Sequence, residues 1–384
     1  MSVTAERSTD QHGETMSITH QAHPLQVVVL PGDGIGPEVT ASAVEVLEQA
    51  ASAHGLGVEL TERAIGGAAV EAEGTPLPDG TLQLCRQADA ILFGAVGGPR
   101  WDHLRGNARP GAAILGLRRR LDLCLNLRPV RAHPALAGRG PLRPEVVGDA
   151  DFVIVRELTG GAYFGEHGRD GEGDGERAFD TMVYSRREVR RAVGFALELA
   201  RGRRRHLTSV DKANALWSGR LWRDVATELA AENPDVTVEH ALVDSFALRM
   251  LQRPDRLDVV VAENLMGDIL SDEAAAIGGS LGVMASASLN PAGGPALYEP
   301  IHGSAPDIAG RGIANPLAAI LSAALLLEHS ASRPEIAAEI RGAVDTALTA
   351  GARTPDLGGT ASTSEVTRAV VEALQARPPV GAIA

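Results

Sequence analysis

The sequence predicts an α/β fold built on a mostly parallel central sheet. Short runs of Val, Ile and Leu alternate along the chain with segments of helical periodicity. The runs are continuously apolar, which is typical of strands buried on both faces. With 384 residues, 44% of them hydrophobic, the chain is long enough for two domains. The predicted strands are 26–30, 88–93, 152–156, 206–210, 236–240 and 257–262.

Helices and two polar segments complete the predicted organisation. A first helix begins at Pro37, since proline suits a first helical turn, and a late helix carries apolar residues at helical spacing from Ile336 to Leu348. Residues 1–24 are polar and charged, so we expect a flexible tail. The glycine-dense segment 165–180 is expected to be an exposed loop or hairpin arm.

Composition excludes several classes of function. A formal net charge of −13 and an aromatic content of 3% argue against a nucleic-acid binder. No apolar run approaches the about 20 residues that span a bilayer, and the N-terminus lacks the order of a signal peptide, so we expect a cytoplasmic protein without a membrane partner. Cys85 and Cys124 lack disulfide or zinc spacing and are expected to be buried packing residues.

The segment LPGDGIGPE, Leu30 to Glu38, lies between the first predicted strand and the first predicted helix. A glycine turn at a helix N-terminus can bind a phosphate through backbone N–H groups. The spacing here is G-x-G-x-G rather than the dinucleotide fingerprint G-x-G-x-x-G, and no Gly-Lys-Ser/Thr follows. From this segment alone, a phosphate-binding loop and a plain tight turn both stay open.

Acidic residues cluster in ENLMGDILSDE, directly after the last predicted strand. Asp268 and Asp272 are four residues apart, so on a helix they share one face and could offer two carboxylates to Mg²⁺ or Mn²⁺. The alternative is that acidic residues simply favour a first helical turn. Asp244 lies among apolar residues in ALVDSFAL, an unusual place for a charge without a partner or a metal.

Basic and phenolic side chains follow other predicted strands. Arg156 ends the strand 152–156, where an arginine could grip a carboxylate bidentately. Tyr163 follows in RELTGGAYFG and is either a proton donor or a packed core ring. Lys212 follows the strand 206–210 and could act as a base if its pKa were lowered, although a surface lysine is the commoner case.

Two further segments carry candidate binding residues. The segment LGLRRRLDLCLNLRP holds Arg118 and Arg128 among leucines. The segment 297–316, LYEPIHGSAPDIAGRGIANP, is a polar loop of about twenty residues, and such loops inside compact domains are usually functional. The candidates in this loop are His302, Gly303, Ser304, Asp307 and Asn315.

Together these motifs resemble the isocitrate/isopropylmalate (β-decarboxylating) dehydrogenase family. The resemblance covers about residues 27–330 and continues weakly through the terminal helices. Nine motifs occur in the family's order, namely LPGDGIGPE, GAVGGPRWD, LDLCLNLRP, RELTGGAYFG, AFDTMVYS, TSVDKAN, ENLMGDILSDE, GSLGVMASASL and LYEPIHGSAPDIAGRGIANP.

The resemblance implies a two-domain isopropylmalate-dehydrogenase-like fold rather than a Rossmann fold. Residues 25–123 and 279–384 would form the first domain, and residues 124–278 would form the second, with the dimer interface. The protein would be a homodimer with shared active sites, with the arm 165–180 between subunits. The glycine loop would shape the active-site cleft, and the loop 297–316 would bind NAD.

The implied activity is NAD-dependent oxidative decarboxylation of a small 3-alkylmalate. The foremost substrate would be (2R,3S)-3-isopropylmalate, converted to 4-methyl-2-oxopentanoate, CO₂ and NADH in leucine biosynthesis. The two carboxylates of the malate skeleton would be bound by Arg118, Arg128 and Arg156. Mg²⁺ or Mn²⁺ would be held by Asp268, Asp272 and Asp244 of the partner subunit.

The resemblance also assigns proton transfers and cofactor contacts. Asp244 of the partner subunit would contact substrate as well, and Lys212 of the partner subunit would help to remove the hydroxyl proton. Tyr163 would protonate the enolate left by decarboxylation. Asp307, followed by Ile308 rather than a Lys-Tyr pair, would bind the adenosine ribose and so favour NAD over NADP. The cofactor-binding residues would be His302, Gly303, Ser304, Ala305, Pro306, Asp307 and Asn315.

Departures from the family pattern concern substrate choice. Gly111 stands where an acidic residue is usual, Ala215 where valine is common and Ile114 where leucine is usual. Gly111 and Ala215 would enlarge the pocket for the 3-substituent, whereas Phe246 adds volume that could offset them. The alternatives are therefore another 3-substituted malate in a specialised pathway and, from a different class, a non-catalytic regulatory homologue, against which the intact site motifs argue.

Overall fold

The computed structural model describes residues 23–376, and within that range the chain forms one continuous ten-stranded sheet and a separate two-stranded hairpin. All six predicted strands are present, with ends within two residues of the prediction. Most of the predicted tail, residues 1–22, lies outside the described residues. The strands are β1 Leu25–Gly32, β2 Val58–Glu62, β3 Ala90–Ala95, β4 Leu125–Arg131, β5 Asp151–Glu157, β6 His167–Asp170, β7 Arg177–Asp180, β8 His206–Asp211, β9 Thr237–Leu242, β10 Val259–Ala262, β11 Ala285–Leu289 and β12 Ala296–Pro300.

Helices cover both faces of the sheet. The predicted first and late helices are α1 and α12, and Pro37 lies in the first turn of α1 as expected. The helices are α1 Gly36–Ala53, α2 Gly67–Glu73, α3 Asp79–Gln87, α4 Ala112–Arg120, α5 Pro144–Val147, α6 Arg186–Arg201, α7 Trp217–Glu232, α8 Val243–Gln252, α9 Asn264–Glu273, α10 Ala275–Gly278, α11 Leu317–His329, α12 Pro334–Thr349 and α13 Thr363–Gln375.

The sheet has two parallel wings joined by an antiparallel centre. Its strand order is β2-β1-β3-β12-β11-β4-β5-β10-β8-β9. Every pair is parallel except β12–β11, β11–β4 and β4–β5 in the middle. Because three successive pairs are antiparallel, the two wings run in opposite directions. The prediction of a mostly parallel sheet is confirmed.

The hydrophobic core lies on both sides of this sheet because successive strand residues face opposite ways. On β1, Val27 and Val29 belong to the core that contains α1, α11 and α12, whereas Val28 and Leu30 pack with α3 and α4. Such strands need apolar residues at every position, which explains why the inner wing strands β1, β3 and β10 appear in the sequence as continuous apolar runs.

Four other predictions concern features outside the arginine-bearing centre of the sheet. β6 and β7 pair as an antiparallel hairpin, so the segment 165–180 does form an arm, while its role between subunits stays a prediction. Cys85 and Cys124 are both fully buried, as expected. Within residues 23–376, no helix is both long and apolar enough to cross a membrane. The two-domain division also stays a prediction, since the sheet continues through both segments.

Candidate active site

The antiparallel centre of the sheet carries a buried cluster of arginines on one face. In the register of β4 and β5, Asn126 lies opposite Arg156, and Arg128 is two residues further along the same face. The alternate residues, such as Leu127, turn to the opposite, apolar face. Arg128 and Arg156 are 5% and 3% exposed. The strand pleat therefore separates an ionic face from the core with single-residue precision.

Helix α9 brings its two carboxylates to these arginines. Asp268 Oδ1 accepts a hydrogen bond from Arg156 Nη1 and lies 3.3 Å from Arg128 Nη2, while Asp272 Oδ1 accepts a 3.1 Å hydrogen bond from Arg128 Nη1. The predicted shared helix face is thus confirmed. The helix approaches β5 closely because Gly267 faces it: a Cβ there would lie 2.9 Å from Arg156 Cβ.

Arg118 joins the cluster from α4 and has a carboxylate partner of its own. Its Nη2 donates a 2.8 Å hydrogen bond to Glu299 Oε1, and both side chains are only 10% exposed. Glu299 lies on β12, three residues before His302, so this buried ion pair connects the arginine cluster with the loop predicted to bind the cofactor.

Tyr163 lies at the open side of the cluster. Its hydroxyl donates a 2.8 Å hydrogen bond to Asp268 Oδ2, and the Arg156 guanidinium lies 5.6 Å from its ring centroid. At 39% exposure the ring is not a packed core residue, so the core alternative is wrong. Partial burial and the nearby Asp268 carboxylate raise the pKa of Tyr163, which keeps the phenol protonated at neutral pH.

The electrostatics of the cluster favour a bound anion. Burial and the neighbouring Arg128 and Arg118 lower the pKa of Arg156 to about 10, and burial lowers the pKa of Arg128 as well. Burial alone would raise the pKa of Asp268, but Arg156 and Arg128 outweigh it and hold that pKa below its usual range. The three guanidinium groups repel one another. A dicarboxylate ligand would compensate their charges and so stabilise the cluster.

Lys212 and Asp244 form a separate ion pair. Lys212 follows β8, Asp244 lies in the first turn of α8, and their side chains contact each other directly. The Asp244 side chain is 63% exposed, and Lys212 is the partner that this charge among apolar sequence neighbours was expected to need. The hydrogen bond from Lys212 lowers the pKa of Asp244. Within the described part of one chain, neither residue has a hydrogen bond or ion pair to the arginine cluster.

The residues fit a divalent metal only in part. Between residues 23 and 376 of one chain, no three His, Cys, Asp or Glu side chains are grouped closely enough to hold an ion. Asp268 and Asp272 supply two oxygen donors on one helix face, which is the chemistry that Mg²⁺ or Mn²⁺ prefers. The role predicted for Asp244 of the partner subunit would add a third carboxylate to these two, and it stays a prediction.

The glycine loop supports the predicted cofactor loop and is not a phosphate cradle. The backbone N–H of Ile35 donates a 2.8 Å hydrogen bond to the Ser304 carbonyl, and the N–H of Asp33 donates to the Ala95 carbonyl. Gly34 has φ +62°, and a Cβ there would overlap the Ser304 carbonyl oxygen at 2.0 Å. These backbone N–H groups already donate to carbonyls of the protein and are not available to a phosphate. Of the two alternatives, the structure therefore favours the tight turn.

The loop 297–316 has features that fit a nucleotide. His302 Nε2 is shielded from solvent and has no hydrogen-bond partner in residues 23–376, and an adenine ring could satisfy it. Gly303, Pro306 and Asp307 are exposed. Asn315 is buried and its amide already bonds Asp356 and the Leu317 N–H, which favours a role in holding the loop. The cofactor assignments stay predictions.

Comparison of the sequence with known proteins identifies the family. A family model described as isocitrate/isopropylmalate dehydrogenase matches residues 26–370. The chain belongs to the isocitrate/isopropylmalate dehydrogenase family. A protein named 3-isopropylmalate dehydrogenase from Halalkalibacterium halodurans is 53% identical over 91% of this chain and 98% of its own length. One of the same name from Anaeromyxobacter dehalogenans is 53% identical over 91% and 99%.

A solved structure supports the same membership of the family. Isocitrate dehydrogenase from Methylococcus capsulatus superposes with a TM-score of 0.81 at 35% identity, covering 91% of this chain and 99% of that chain. The predicted family and α/β fold are therefore confirmed.

The structure shows the positions of three residues that depart from the family's sequence pattern. Phe246 is fully buried in the core between α8 and the sheet, so it takes no room from the site. Gly111 precedes α4, and a Cβ there would meet nothing within 4 Å. Ala215 is exposed near Lys212. The argument that Phe246 offsets an enlarged pocket is therefore wrong.

Three supporting polar residues of the candidate site were not predicted from the sequence. Asn126 and Asn264 contact Arg128 and Arg156 directly, and Glu299 pairs with Arg118. A signal for Asn126 was available, because an amide between two leucines of a buried strand has to find a polar neighbour on its own face. No spacing rule could have connected Arg118 with Glu299, which is 181 residues away.

Proposed function

We propose that the protein catalyses NAD-dependent oxidative decarboxylation of 3-isopropylmalate in leucine biosynthesis, as a homodimer that uses Mg²⁺ or Mn²⁺. The observation that carries the proposal is the buried cluster of Arg118, Arg128 and Arg156 beside the two carboxylates of α9. It matches a dicarboxylate with a metal-binding hydroxyl, and relatives of 53% identity bear the name 3-isopropylmalate dehydrogenase.

The chain's own residues divide the chemistry between them. The three arginines bind the two carboxylates of the malate skeleton and hold the substrate in one orientation for hydride transfer from carbon 2. Lys212 of the partner subunit takes part in removing the hydroxyl proton as hydride leaves carbon 2. After loss of CO₂, Tyr163 donates its phenolic proton to the enolate carbon. The raised pKa of Tyr163 keeps that proton in place until then.

The metal and the cofactor have defined places in this scheme. Asp268, Asp272 and Asp244 of the partner subunit would hold the divalent ion, which when bound acts as a Lewis acid on the developing ketone. NAD would lie along the loop 297–316, with Asp307 on the adenosine ribose. Its exposed carboxylate has no hydrogen-bond partner within the described residues and is free to bind a ribose.

A dimer is supported by apolar surface beside the site. Leu248 on α8 and Ile269 on α9 are 60% and 61% exposed, an unfavourable state for large apolar side chains on two neighbouring helices. Asp244 and Asp268 lie on the same two helices. Pairing of these faces between subunits would cover the apolar residues and bring the Lys212–Asp244 pair of one chain towards the arginine cluster of the other.

The test is NADH formation by purified protein with Mg²⁺ on a series of malates. We expect the highest kcat/KM on 3-isopropylmalate, compared with 3-methyl-, 3-ethyl- and 3-benzylmalate and with isocitrate. No turnover of any of these compounds would refute the proposal and favour a non-catalytic regulatory homologue.

A second candidate is the same reaction on a malate with a bulkier 3-substituent. Gly111 and Ile114 precede Arg118 by seven and four residues on one face of the α4 region, so they lie where the side chain of an arginine-bound malate would pass. The open space at Gly111 favours a larger group. A clear preference for 3-benzylmalate, reduced by Gly111→Glu, would establish this alternative.

A further inference from the structure

Two asparagines hold the buried arginines in place, beginning with Asn126 on β4. Its Oδ1 accepts a 2.7 Å hydrogen bond from Arg128 Nε. Its Nδ2 donates to the hydroxyls of Ser286 and Ser288 on β11, at 3.2 and 3.1 Å. Asn126 and both serines are fully buried. The amide is therefore fixed from behind, and its oxygen points at one edge of the Arg128 guanidinium.

Asn264, the first residue of α9, holds Arg156 in a similar manner. Its Oδ1 accepts from Arg156 Nε at 3.0 Å and from Nη2 at 2.8 Å. Its Nδ2 donates 3.0 Å to the Gly160 carbonyl, at the start of the loop that carries Tyr163. With 1% exposure, this amide connects an arginine to the Tyr163 loop.

A neutral acceptor and a carboxylate differ in how much positive charge remains on the guanidinium that they bind. Arg118 contacts the Glu299 carboxylate through one nitrogen, so part of its charge is compensated inside the protein before substrate binds. An amide oxygen orients a guanidinium through a hydrogen bond but leaves its full positive charge available. Asp268 and Asp272 also contact these arginines, but they are the proposed metal ligands, and a bound cation would offset their charge.

We propose that Asn126 and Asn264 are positioning residues that orient Arg128 and Arg156 through neutral oxygens, and so reserve two guanidinium charges for the carboxylates of the substrate. This inference rests on the arginine clamp of the proposed function. It explains why the edges of two desolvated cations are held by amides, where carboxylates would stabilise the cations more strongly.

The decisive variant is Asn126→Asp, which keeps the shape and adds a charge. The Ser286 and Ser288 hydroxyls can rotate from accepting to donating, so the new carboxylate keeps its hydrogen bonds. Because it neutralises Arg128, we expect KM for 3-isopropylmalate to rise about tenfold or more, with kcat changing less. The Tm of the free enzyme should stay the same or rise, since a buried cation gains a counter-ion. A merely structural role predicts a lower Tm and an unchanged KM.

Asn264→Asp is the second variant, should the first not fold. It should weaken substrate binding in the same direction, but with some loss of Tm, because its second oxygen would face the Gly160 carbonyl. The matched control is Asn233→Asp. Asn233 also accepts from an arginine, Arg201 at 2.6 Å, and donates to the Leu229 carbonyl. Asn233 caps the end of α7 and Arg201 ends α6, and neither bonds to a residue of the arginine cluster. Its KM should equal that of the wild type.

Calorimetric titration separates this proposal from the proposed function. The wild-type protein is titrated with each malate of the activity series in the presence of Mg²⁺. The variants are then titrated with the malate that the wild-type protein binds. Failure of the wild type to turn over any malate overturns the proposed function, whereas the ratio of variant to wild-type affinity tests the asparagines. Equal affinity and equal KM in Asn126→Asp and the wild type would overturn the positioning role.

Discussion

At the scale of single residues, Asp268 is the side chain on which the site depends most. One of its oxygens contacts Arg128 and Arg156, and the other accepts from Tyr163. Asp272, one helical turn later, contacts Arg128 alone. The two carboxylates therefore have opposite pKa shifts: that of Asp268 is lowered, whereas burial raises that of Asp272 more than Arg128 lowers it.

This difference predicts opposite effects on the stability of the metal-free protein. A carboxylate with a lowered folded pKa stabilises the fold above its unfolded pKa of about 3.9, and the stability is lost as pH falls through the folded pKa. Asp268→Asn should therefore lower Tm at pH 7, and the difference in Tm between this variant and the wild type should become smaller below about pH 4. Asp272→Asn should leave Tm unchanged or raise it. Thermal unfolding in EDTA across pH measures both, and a larger loss in Asp272→Asn contradicts the assignment.

Tyr163→Phe tests the proton donor. Phenylalanine keeps the ring over Arg156 and removes only the hydroxyl that donates to Asp268. We expect kcat to fall by about 10²-fold or more, the usual contribution of a general acid, while KM changes little because the arginine clamp is intact. Steady-state NADH formation at saturating Mg²⁺ gives both constants. A drop confined to KM would instead assign Tyr163 to substrate binding.

At the scale of elements, the position of α9 relative to β5 determines whether arginines and carboxylates meet. Gly267 allows that approach, because a Cβ would lie 2.9 Å from both Arg156 Cβ and Cγ. The helix is also held by Glu263, whose carboxylate accepts from the Leu265 and Met266 N–H groups at its N-terminus.

Gly267→Ala should therefore disrupt the site although it improves helix propensity. We expect a loss of about 1–3 kcal/mol in the free energy of unfolding, as for overpacked cores, together with lower activity. The control is Gly194→Ala in the middle of α6, where a Cβ meets nothing within 4 Å. There the same change should stabilise by about 0.5–1 kcal/mol. Denaturant unfolding with kinetics measures both, and similar outcomes at the two glycines would contradict the packing argument.

The elements that sequence predicted and those it missed differ for a physical reason. Wing strands such as β1 and β10 are buried on both faces by apolar residues, so their composition alone revealed them. The central strands β4 and β11 carry Asn126, Arg128 and two serines on one face, which breaks the apolar run. The sequence therefore did not predict β4 and β11, because polar residues replace the apolar pattern on one face of these strands.

At the scale of the whole molecule, the candidate site has two parts that share no hydrogen bond or ion pair within the described residues of one chain. The arginine cluster with Asp268 is one part, and the Lys212–Asp244 pair is the other. Sequence spacing alone could not show whether these parts contact each other in one chain, because it carries no information on which chain supplies a side chain. The expectation of a shared site comes from the family resemblance and stays a prediction.

A shared site predicts that two inactive variants restore each other's activity. Lys212→Met removes the residue proposed to come from the partner, and Arg156→Lys removes the planar guanidinium proposed to bind a substrate carboxylate. Each homodimer should be nearly inactive. In a hybrid dimer, one of the two sites combines an intact Arg156 with an intact Lys212, while the other site carries both defects. Random pairing of equal amounts makes half of the dimers hybrids, so activity should return to about a quarter of the wild type.

The experiment is co-expression of the two variants with different affinity tags, followed by purification through both tags and assay of NADH formation. Dimers selected in this way are all hybrids and should reach about half the wild-type kcat with wild-type KM, because their one competent site is unaltered. The control is a pair of variants that both carry Lys212→Met, which should stay inactive after the same selection. If the hybrid is as inactive as its parents, Lys212 and Arg156 act within one chain, and the dimeric site has to be abandoned.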